Sequence, residues 1–184
     1  MVYDKDIHNR RSIRLRDFDY SQSSAYSITI CTQGNLHLFG NMKDDKVLLN
    51  PPGEMIYKWI EKLPEKFENL YKDEYVIMPN HIHMIIFLNP RFVGTDPCVC
   101  PENYHYKEED KHMGLSLHTV IQWFKTMTTN EYIKGVKENN WIPFNKRLWL
   151  HNYYEHIIRN EMELWRIREY ISANPTRWFN RNEM

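Results

Sequence analysis

Two histidines separated by a single residue, His81 and His83, form the clearest candidate site for chemistry in this sequence. Side chains of an extended strand alternate between its two faces, so both imidazoles would project from one face while Ile82 points away. Neutral imidazoles are common ligands of divalent metal ions, and a strand fixes the distance between them. The spacing therefore indicates a metal-binding pair, although two hydrogen-bonded histidines inside a sheet would produce the same pattern.

A second pair of functional side chains lies near the C-terminal end of the sequence. Tyr170 and Asn174 are four residues apart in a segment with helical periodicity, so they would lie one turn apart on one face of a helix. The carboxamide oxygen could serve as a third ligand for Mg²⁺ or Mn²⁺. The phenol could then attack a phosphodiester whose oxygens the ion polarises. The alternative is that Tyr170 only packs and that Asn174 caps the helix before Pro175.

Hydrophobic periodicity predicts the elements that would position these residues. Alternating or continuously apolar runs predict strands at about 26–32, 36–39, 46–49, 75–78, 81–88 and 149–158, the second and third forming a hairpin. Apolar residues at helical spacing predict helices at about 51–64, 115–134 and 160–175, with Gly135 ending the second. The resulting order is typical of an α+β domain with an antiparallel sheet and helices packed on it.

Length and composition bound the domain organisation. The chain has 184 residues, of which 42% are hydrophobic and 14% aromatic, and this is enough for one globular domain. We interpret residues 1–20 as an N-terminal arm, 21–184 as a single domain and 89–113 as a loop or insertion. Three cysteines, no signal-like segment and no apolar run of the roughly 20 residues that a membrane helix needs predict a cytoplasmic protein without membrane contact.

The 89–113 segment raises a second metal hypothesis. Cys98 and Cys100 lie there together with His105 and His112. Their spacing matches no standard zinc clip, so a zinc site is not predicted from them.

The distribution of charged residues along the chain indicates phosphate binding more clearly than the net charge does. The chain has 24 basic and 24 acidic residues and a net charge of zero, which removes the argument that a strongly basic protein binds nucleic acid. Basic residues nevertheless crowd both termini, and two such clusters could converge on one phosphate-binding face or remain ordinary solvated charges. The residues that we predict to contact DNA are Arg10, Arg11, Arg14, Arg16, Lys125 and Arg159.

Several segments in order along the chain resemble the REP-associated tyrosine transposases, domesticated relatives of the single-tyrosine HUH transposases. The similarity runs from about residue 10 to the C-terminus, and its two motif blocks are far more specific together than either is alone. The segments are YSITICT at 26–32, LFG at 38–40, YVIMPNHIH at 75–83, YYEHIIRN at 153–160 and IREYISANP at 167–175.

The resemblance implies a ferredoxin-like or RRM-like fold, with helices packed on one face of the sheet and the tyrosine on the C-terminal helix. His81 and His83 would be the metal-binding HUH pair, Tyr170 the nucleophile and Asn174 the polar metal-site residue one turn later. Such proteins cut single-stranded DNA beside a REP-like hairpin and leave a 5′-phosphotyrosine and a free 3′-hydroxyl, which permits resealing without ATP. The resemblance also implies a nucleoid-associated protein of a bacterium or archaeon, acting as a monomer or homodimer.

Tyr153 and Tyr154 are rival nucleophiles. Four residues after them lie Ile157 and Ile158, which cannot bind a metal, so we favour Tyr170. One departure from the resemblance is Leu150, where relatives commonly carry a glutamine after the tryptophan, and this puts local polar contacts in doubt.

Two other classes of function remain open. A non-catalytic module could bind hairpin nucleic acid on the same sheet by stacking aromatic side chains on bases. A metal-dependent phosphodiesterase could use water as its nucleophile, in which case it would need the histidines but tolerate Tyr170→Phe.

Overall fold

A computed structural model describes residues 24–88 and 115–182 of the chain. The main sheet consists of four antiparallel strands, β1 (Ser24–Cys31), β4 (Leu70–Met78), β5 (His81–Leu88) and β6 (Tyr154–Ile158). Their spatial order is β4-β5-β1-β6. The α+β class is confirmed, and the predicted elements occur in the predicted order, with two further α-helices among the described residues that were not predicted. The histidine pair lies on β5, an internal strand, because β5 is bonded to β4 on one side and to β1 on the other.

The two faces of the sheet carry different side chains. Even-numbered residues of β1 and β5, such as Ile28 and Met84, belong to the main core with helices α1 (Pro51–Glu61) and α3 (Leu117–Asn139). Odd-numbered residues form a smaller apolar cluster on the other face, which helix α4 (Glu161–Ser172) covers. The expectation of helices on one face therefore holds for α1 and α3, whereas α4 lies on the opposite face, with the histidines.

Helix α3 is longer than predicted. It runs to Asn139 and ends at Asn140, whose φ of 54° is left-handed, so Gly135 lies inside the helix and does not end it. A β-carbon at Gly135 would lie 2.2 Å from the ring of Trp141. The glycine is therefore required by the close approach of the indole rather than by a change of backbone direction.

The remaining boundaries differ from the predictions for local reasons. The hairpin consists of β2 (Gly40–Lys43) and β3 (Lys46–Leu49), so its first arm begins after Leu38 and Phe39, which are buried in the core. Helix α1 ends at Glu61 and is followed by a short helix α2 (Leu63–Lys66) that contains the proline predicted as a stop. The last predicted strand begins at Tyr154, and Trp149 forms only an isolated bridge with Thr32.

The C-terminal region forms two helices where one was predicted. Asn160 caps α4 as expected, because its side chain accepts a hydrogen bond from the Glu163 amide. However, α4 ends at Ser172, and a separate helix α5 (Asn174–Asn182) follows. Tyr170 is therefore near the end of α4, and Asn174 is the first residue of α5. None of the helices in the two described ranges is long and apolar enough to span a membrane.

The predicted N-terminal arm and the 89–113 segment lie outside the described residues, together with Cys98, Cys100, His105 and His112. The predicted domain division therefore stays a prediction.

Candidate active site on the open half of the sheet

The strand register places His83 in a row of side chains across the sheet. His83 is paired with Val76 on β4 and with Thr29 on β1, and Thr29 is paired in turn with Tyr154 on β6. Directly paired residues of antiparallel strands share a face, so all four side chains lie on the face that α4 partly covers. His81, two residues before His83, lies on that face as well. The predicted two-imidazole platform is present, with the ring centroids 4.7 Å apart.

A chain of side-chain contacts fixes the orientation of His81. The Asn80 amide nitrogen donates to the side-chain oxygen of Asn35, so the Asn80 oxygen faces His81, 2.6 Å from Nδ1. Since an amide oxygen only accepts hydrogen bonds, Nδ1 of His81 carries the proton and donates it. Nε2 then carries the lone pair, which is the form of the ring that binds a metal ion through this atom.

His83 is held in a similar way. Its Nδ1 lies 2.7 Å from the hydroxyl of Thr29, the residue opposite it on β1. If Nδ1 donates to that hydroxyl, Nε2 carries the lone pair, as in His81. Asn80 in the turn before β5 and Thr29 on β1 thus set the orientation of the two rings, a role commonly played by groups that support metal-binding histidines.

Both imidazoles are neutral at pH 7. Burial lowers the pKa of His81 to about 4, against a smaller opposing effect of its hydrogen bond with Asn174. Burial, and then the neighbouring charge of His81, lower the pKa of His83 to about 4. A neutral imidazole is the form that binds a metal ion, so the protonation state of the pair suits metal binding.

Asn174 reaches the histidines from the start of α5. Its side chain is 7% exposed and shares a hydrogen bond with His81. The sequence predicted Asn174 one helical turn after Tyr170 in a single helix. The structure places Asn174 beside the histidine pair even though the helix is interrupted at Ala173. A carboxamide oxygen suits a hard ion such as Mg²⁺ or Mn²⁺.

Tyr170 contacts the same cluster from the end of α4. Its ring meets that of His83 edge to face, with centroids 5.3 Å apart, and 42% of the residue remains exposed. Two neighbouring residues of α4, Ile167 and Ile171, pack in the small apolar cluster on the sheet. Arg168 donates two hydrogen bonds, of 2.9 and 2.6 Å, to Asp73 on β4. These contacts fix the helix that presents the phenol.

Helix α5 adds two residues that the sequence analysis did not single out for the site. The Arg177 guanidinium lies 5.4 Å from the centre of the Tyr170 ring. The Trp178 ring lies 5.4 Å from that of His81 and 5.8 Å from that of His37. The usable signal was Pro175, because proline is common in the first turn of a helix, although its position after Asn174 also fits a helix end.

The two rival tyrosines lie on opposite faces of the sheet. Tyr153 packs against the main core and its ring lies 5.3 Å from the Lys125 ammonium. Tyr154 is 61% exposed and shares the face of the histidines, with Thr29 between it and His83. Two strand spacings separate Tyr154 from His83, about 10 Å, whereas Tyr170 is in ring contact with His83.

Two of the six predicted DNA-contacting residues, Lys125 and Arg159, lie within the described residues. Arg10, Arg11, Arg14 and Arg16 lie outside the described residues. Lys125 donates to three backbone carbonyls, those of Leu150, His151 and Asn152, at 3.0 to 3.3 Å. Arg159 is exposed at the end of β6. Contact of these residues with DNA stays a prediction.

The donor set fits a hard divalent ion held by few protein ligands. Within the described ranges, no group of three or more His, Cys, Asp or Glu side chains could hold a metal. His81, His83 and Asn174 provide two imidazole nitrogens and an amide oxygen, a combination compatible with Mn²⁺ or Mg²⁺. Such an ion would complete its coordination with water or with substrate oxygens.

Comparisons with known proteins bear on the fold and the family. No family model matches the chain. The structure of a REP-associated tyrosine transposase bound to a REP hairpin covers 90% of this chain and 73% of that one, with a TM-score of 0.56 and 17% identity. A candidate transposase from Deinococcus radiodurans covers 88% of this chain and 96% of that one at 12% identity, but its TM-score of 0.44 is too low to support an inference. The first likeness confirms the predicted fold.

A sequence relative establishes the family. A Haemophilus influenzae protein whose function is uncharacterized is 34% identical over an alignment of 180 residues that covers 96% of this chain and 93% of the relative. Identity of this extent over nearly the whole of both chains indicates common descent and a common fold. The chain therefore belongs to the same family as this Haemophilus influenzae protein, and it has the fold of the tyrosine transposases.

Proposed function

We propose that the protein is a metal-dependent, transposase-like endonuclease and strand transferase that cuts single-stranded DNA next to a REP-like hairpin. The observation that carries this proposal is the meeting of four residues, His81, His83, Tyr170 and Asn174, from three elements at one place on the sheet. Packing alone does not explain why a tyrosine, an asparagine and two neutral histidines meet at this place. Phosphoryl transfer uses all of them.

Tyr170 is the proposed nucleophile. Its oxygen forms a bond with the phosphorus of the scissile phosphodiester, and the bond from phosphorus to the 3′-oxygen breaks. The phenol releases its proton to solvent and the leaving 3′-oxygen takes one up, so the products are a 5′-phosphotyrosine and a free 3′-hydroxyl. Since the phosphodiester energy is kept in the new bond, attack of a 3′-hydroxyl on the phosphotyrosine reseals a strand and restores the phenol.

The other residues of the site orient the reacting groups. Arg177 lies against the Tyr170 ring, where its positive charge can attract a nearby phosphate. Asn80 and Thr29 hold the two imidazoles through Nδ1, so that Nε2 of each is directed away from these partners. A Mg²⁺ or Mn²⁺ ion held by His81, His83 and Asn174 would polarise the phosphate oxygens.

The proposed partner is single-stranded DNA that carries hairpins, for which the solved transposase structure with its bound REP hairpin is a precedent. Cytoplasmic action on the nucleoid, by a monomer or a homodimer, belongs to the same proposal.

The decisive experiment measures a covalent adduct. A labelled single strand with a hairpin is incubated with Mn²⁺ and the protein, and the products are separated by denaturing electrophoresis. We expect the wild-type protein to carry label and Tyr170→Phe to carry none while it still binds the hairpin. Tyr153→Phe is the matched control, because Tyr153 packs on the opposite face of the sheet, and it should keep the adduct.

The same experiment separates the two other classes of function. A phosphodiesterase that uses water would cut without an adduct and would still cut after Tyr170→Phe. A binding module would shift the hairpin in a native gel and produce neither cleavage nor adduct. An adduct that survives in Tyr170→Phe and disappears in Tyr154→Phe would transfer the role of nucleophile to Tyr154, the rival on the same face.

A further inference from the structure

Two surface grooves meet at Lys146 and Arg147, in the segment between α3 and β6. One groove, of about 460 Å³, lies between α3 and residues 146–153. The other, of about 580 Å³, is bounded by Gln33, Leu36 and Asn145. Lys146 and Arg147 line both grooves and both are exposed. We call this pair the basic ridge.

The charge around the basic ridge differs from that of the chain as a whole. The sequence has equal numbers of acidic and basic residues, 24 of each. Among the described residues that line the two grooves there is no aspartate or glutamate, whereas Lys125, Lys146 and Arg147 are cationic. No ion pair joins Lys146 or Arg147 to a carboxylate elsewhere in the described ranges. Two exposed cations free of acidic neighbours are suited to a polyanion.

The backbone of Lys146 argues against a purely structural role for its side chain. Its φ is 64°, in the left-handed region, where asparagine or glycine is better accommodated than lysine. Leu148 and Trp149, which follow the ridge, are buried and provide the packing for this segment. Asparagine would suit the backbone at position 146 at least as well as lysine does. The fold therefore does not explain the positive charge of Lys146.

Hydrogen bonds place the basic ridge at the end of the sheet where His81 lies. The Gln33 amide donates to the Leu148 carbonyl at 2.8 Å, and the Leu150 amide donates to the Cys31 carbonyl at 2.9 Å. Cys31 is in turn the partner of His81 across the sheet. The ridge is thus tied to the same strand end as the candidate metal site, but it is built from other residues.

We infer that the basic ridge binds the phosphate backbone of the double-stranded stem of a DNA hairpin. The stem would cross the ridge, and the grooves on either side would accommodate its sugar-phosphate chains, so that the single strand leaving the stem could reach His81 and Tyr170. Contacts of this kind position DNA without reading its sequence. The inference rests on the proposed function and names the surface that its hairpin partner occupies.

The test measures hairpin affinity by fluorescence anisotropy at a series of salt concentrations. The variant Lys146→Asn/Arg147→Gln removes both charges, and asparagine tolerates the left-handed backbone at position 146. Because each phosphate contact releases condensed counterions, we expect the slope of log affinity against log salt to fall by roughly 2 and affinity at about 0.1 M salt to weaken roughly tenfold. The control Lys58→Gln/Lys66→Gln removes two exposed cations that line neither groove, and it should keep the wild-type slope.

Two results would overturn the inference. One is a hairpin salt slope that is unchanged in the ridge variant. The other is an equal loss for an unpaired strand of the same length, since the charges would then not be specific for the stem. Anisotropy requires no cleavage, so a wild-type protein that forms no Tyr170 adduct would contradict the proposed function and leave the binding result interpretable. A wild-type adduct combined with unchanged hairpin binding in the ridge variant would support the proposed function and contradict the inference about the basic ridge.

Discussion

The side-chain oxygen of Asn80 lies 2.6 Å from Nδ1 of His81, and the nitrogen of the same carboxamide donates to Asn35. In this orientation the amide oxygen faces the ring, so the proton of His81 lies on Nδ1. Asn80 is 2% exposed, so water cannot easily replace it. The availability of Nε2 of His81 for a metal thus depends on a residue that would not itself touch the metal.

The first prediction concerns Asn80. Replacing it with alanine frees the His81 ring to rotate and to change tautomer, so we expect Mn²⁺ affinity to fall roughly 10- to 100-fold, the usual effect of losing a group that supports a metal ligand. Isothermal titration calorimetry measures the change. Asn80→Asp retains an acceptor at this position and should keep most of the affinity. Equal affinities for the alanine variant and the wild type would show that Asn80 does not control the ring.

The second prediction concerns the dependence of stability on pH, measured with the metal chelated. The pKa values of His81 and His83 are lowered by burial to about 4, from an ordinary value of 6.5. Between these values the unfolded chain binds more protons than the folded one, so the free energy of unfolding should fall as pH decreases from 6.5 towards 4. Above pH 6.5 the two histidines should not change the free energy of unfolding as the pH varies. The largest decrease in the free energy of unfolding that each histidine can cause is about 3 kcal/mol.

The variant His83→Gln isolates this effect from other titrating groups. Glutamine can still hydrogen-bond to Thr29 but takes up no proton, so the decline in stability between pH 6.5 and 4 should be shallower than in the wild type. Urea denaturation at several pH values gives both curves. Parallel curves for the two proteins would mean that His83 is not kept neutral by the fold.

The third prediction concerns packing around Gly135. A β-carbon there would meet the Trp141 ring at 2.2 Å, so Gly135→Ala must displace the indole or the helix. Although alanine is the better helix former, we expect the substitution to destabilise the protein by about 1–3 kcal/mol, as overpacking does. Lys137→Ala, at an exposed position of the same helix, should change stability little. A more stable Gly135→Ala protein would show that Trp141 gives way easily.

These residues also illustrate how far the sequence could predict the structure. The placement of His81 and His83 on one face follows from the period of a strand alone, and the capping by Asn160 follows from a local pattern. Gly135 was misinterpreted as a helix end because the close approach of Trp141, not a change of backbone direction, requires a glycine there. Pro175 was misinterpreted because it lies in the first turn of another helix. The contact between His83 and Thr29 depends on the register between strands, and no local pattern in this sequence specifies that register.

The site was predicted only in part for the same reason. Resemblance and helical spacing together brought Tyr170 and Asn174 into consideration. Arg177 and Trp178 were missed because they reach the site only through α5, a helix that the sequence analysis did not predict.

The last prediction concerns Asn174 and separates a metal ligand from a residue that only stabilises the start of α5. Asn174→Ala removes the oxygen, so Mn²⁺ affinity should fall about tenfold or more if that oxygen is a ligand. Asn174→Asp keeps an oxygen in place and adds a negative charge, so Mn²⁺ affinity should rise above that of the wild type. A purely structural role gives a different pattern, because both substitutions would then change the melting temperature in the absence of metal and leave Mn²⁺ affinity alike. Calorimetric titration and a thermal melt of the chelated protein, applied to all three proteins, decide between these outcomes.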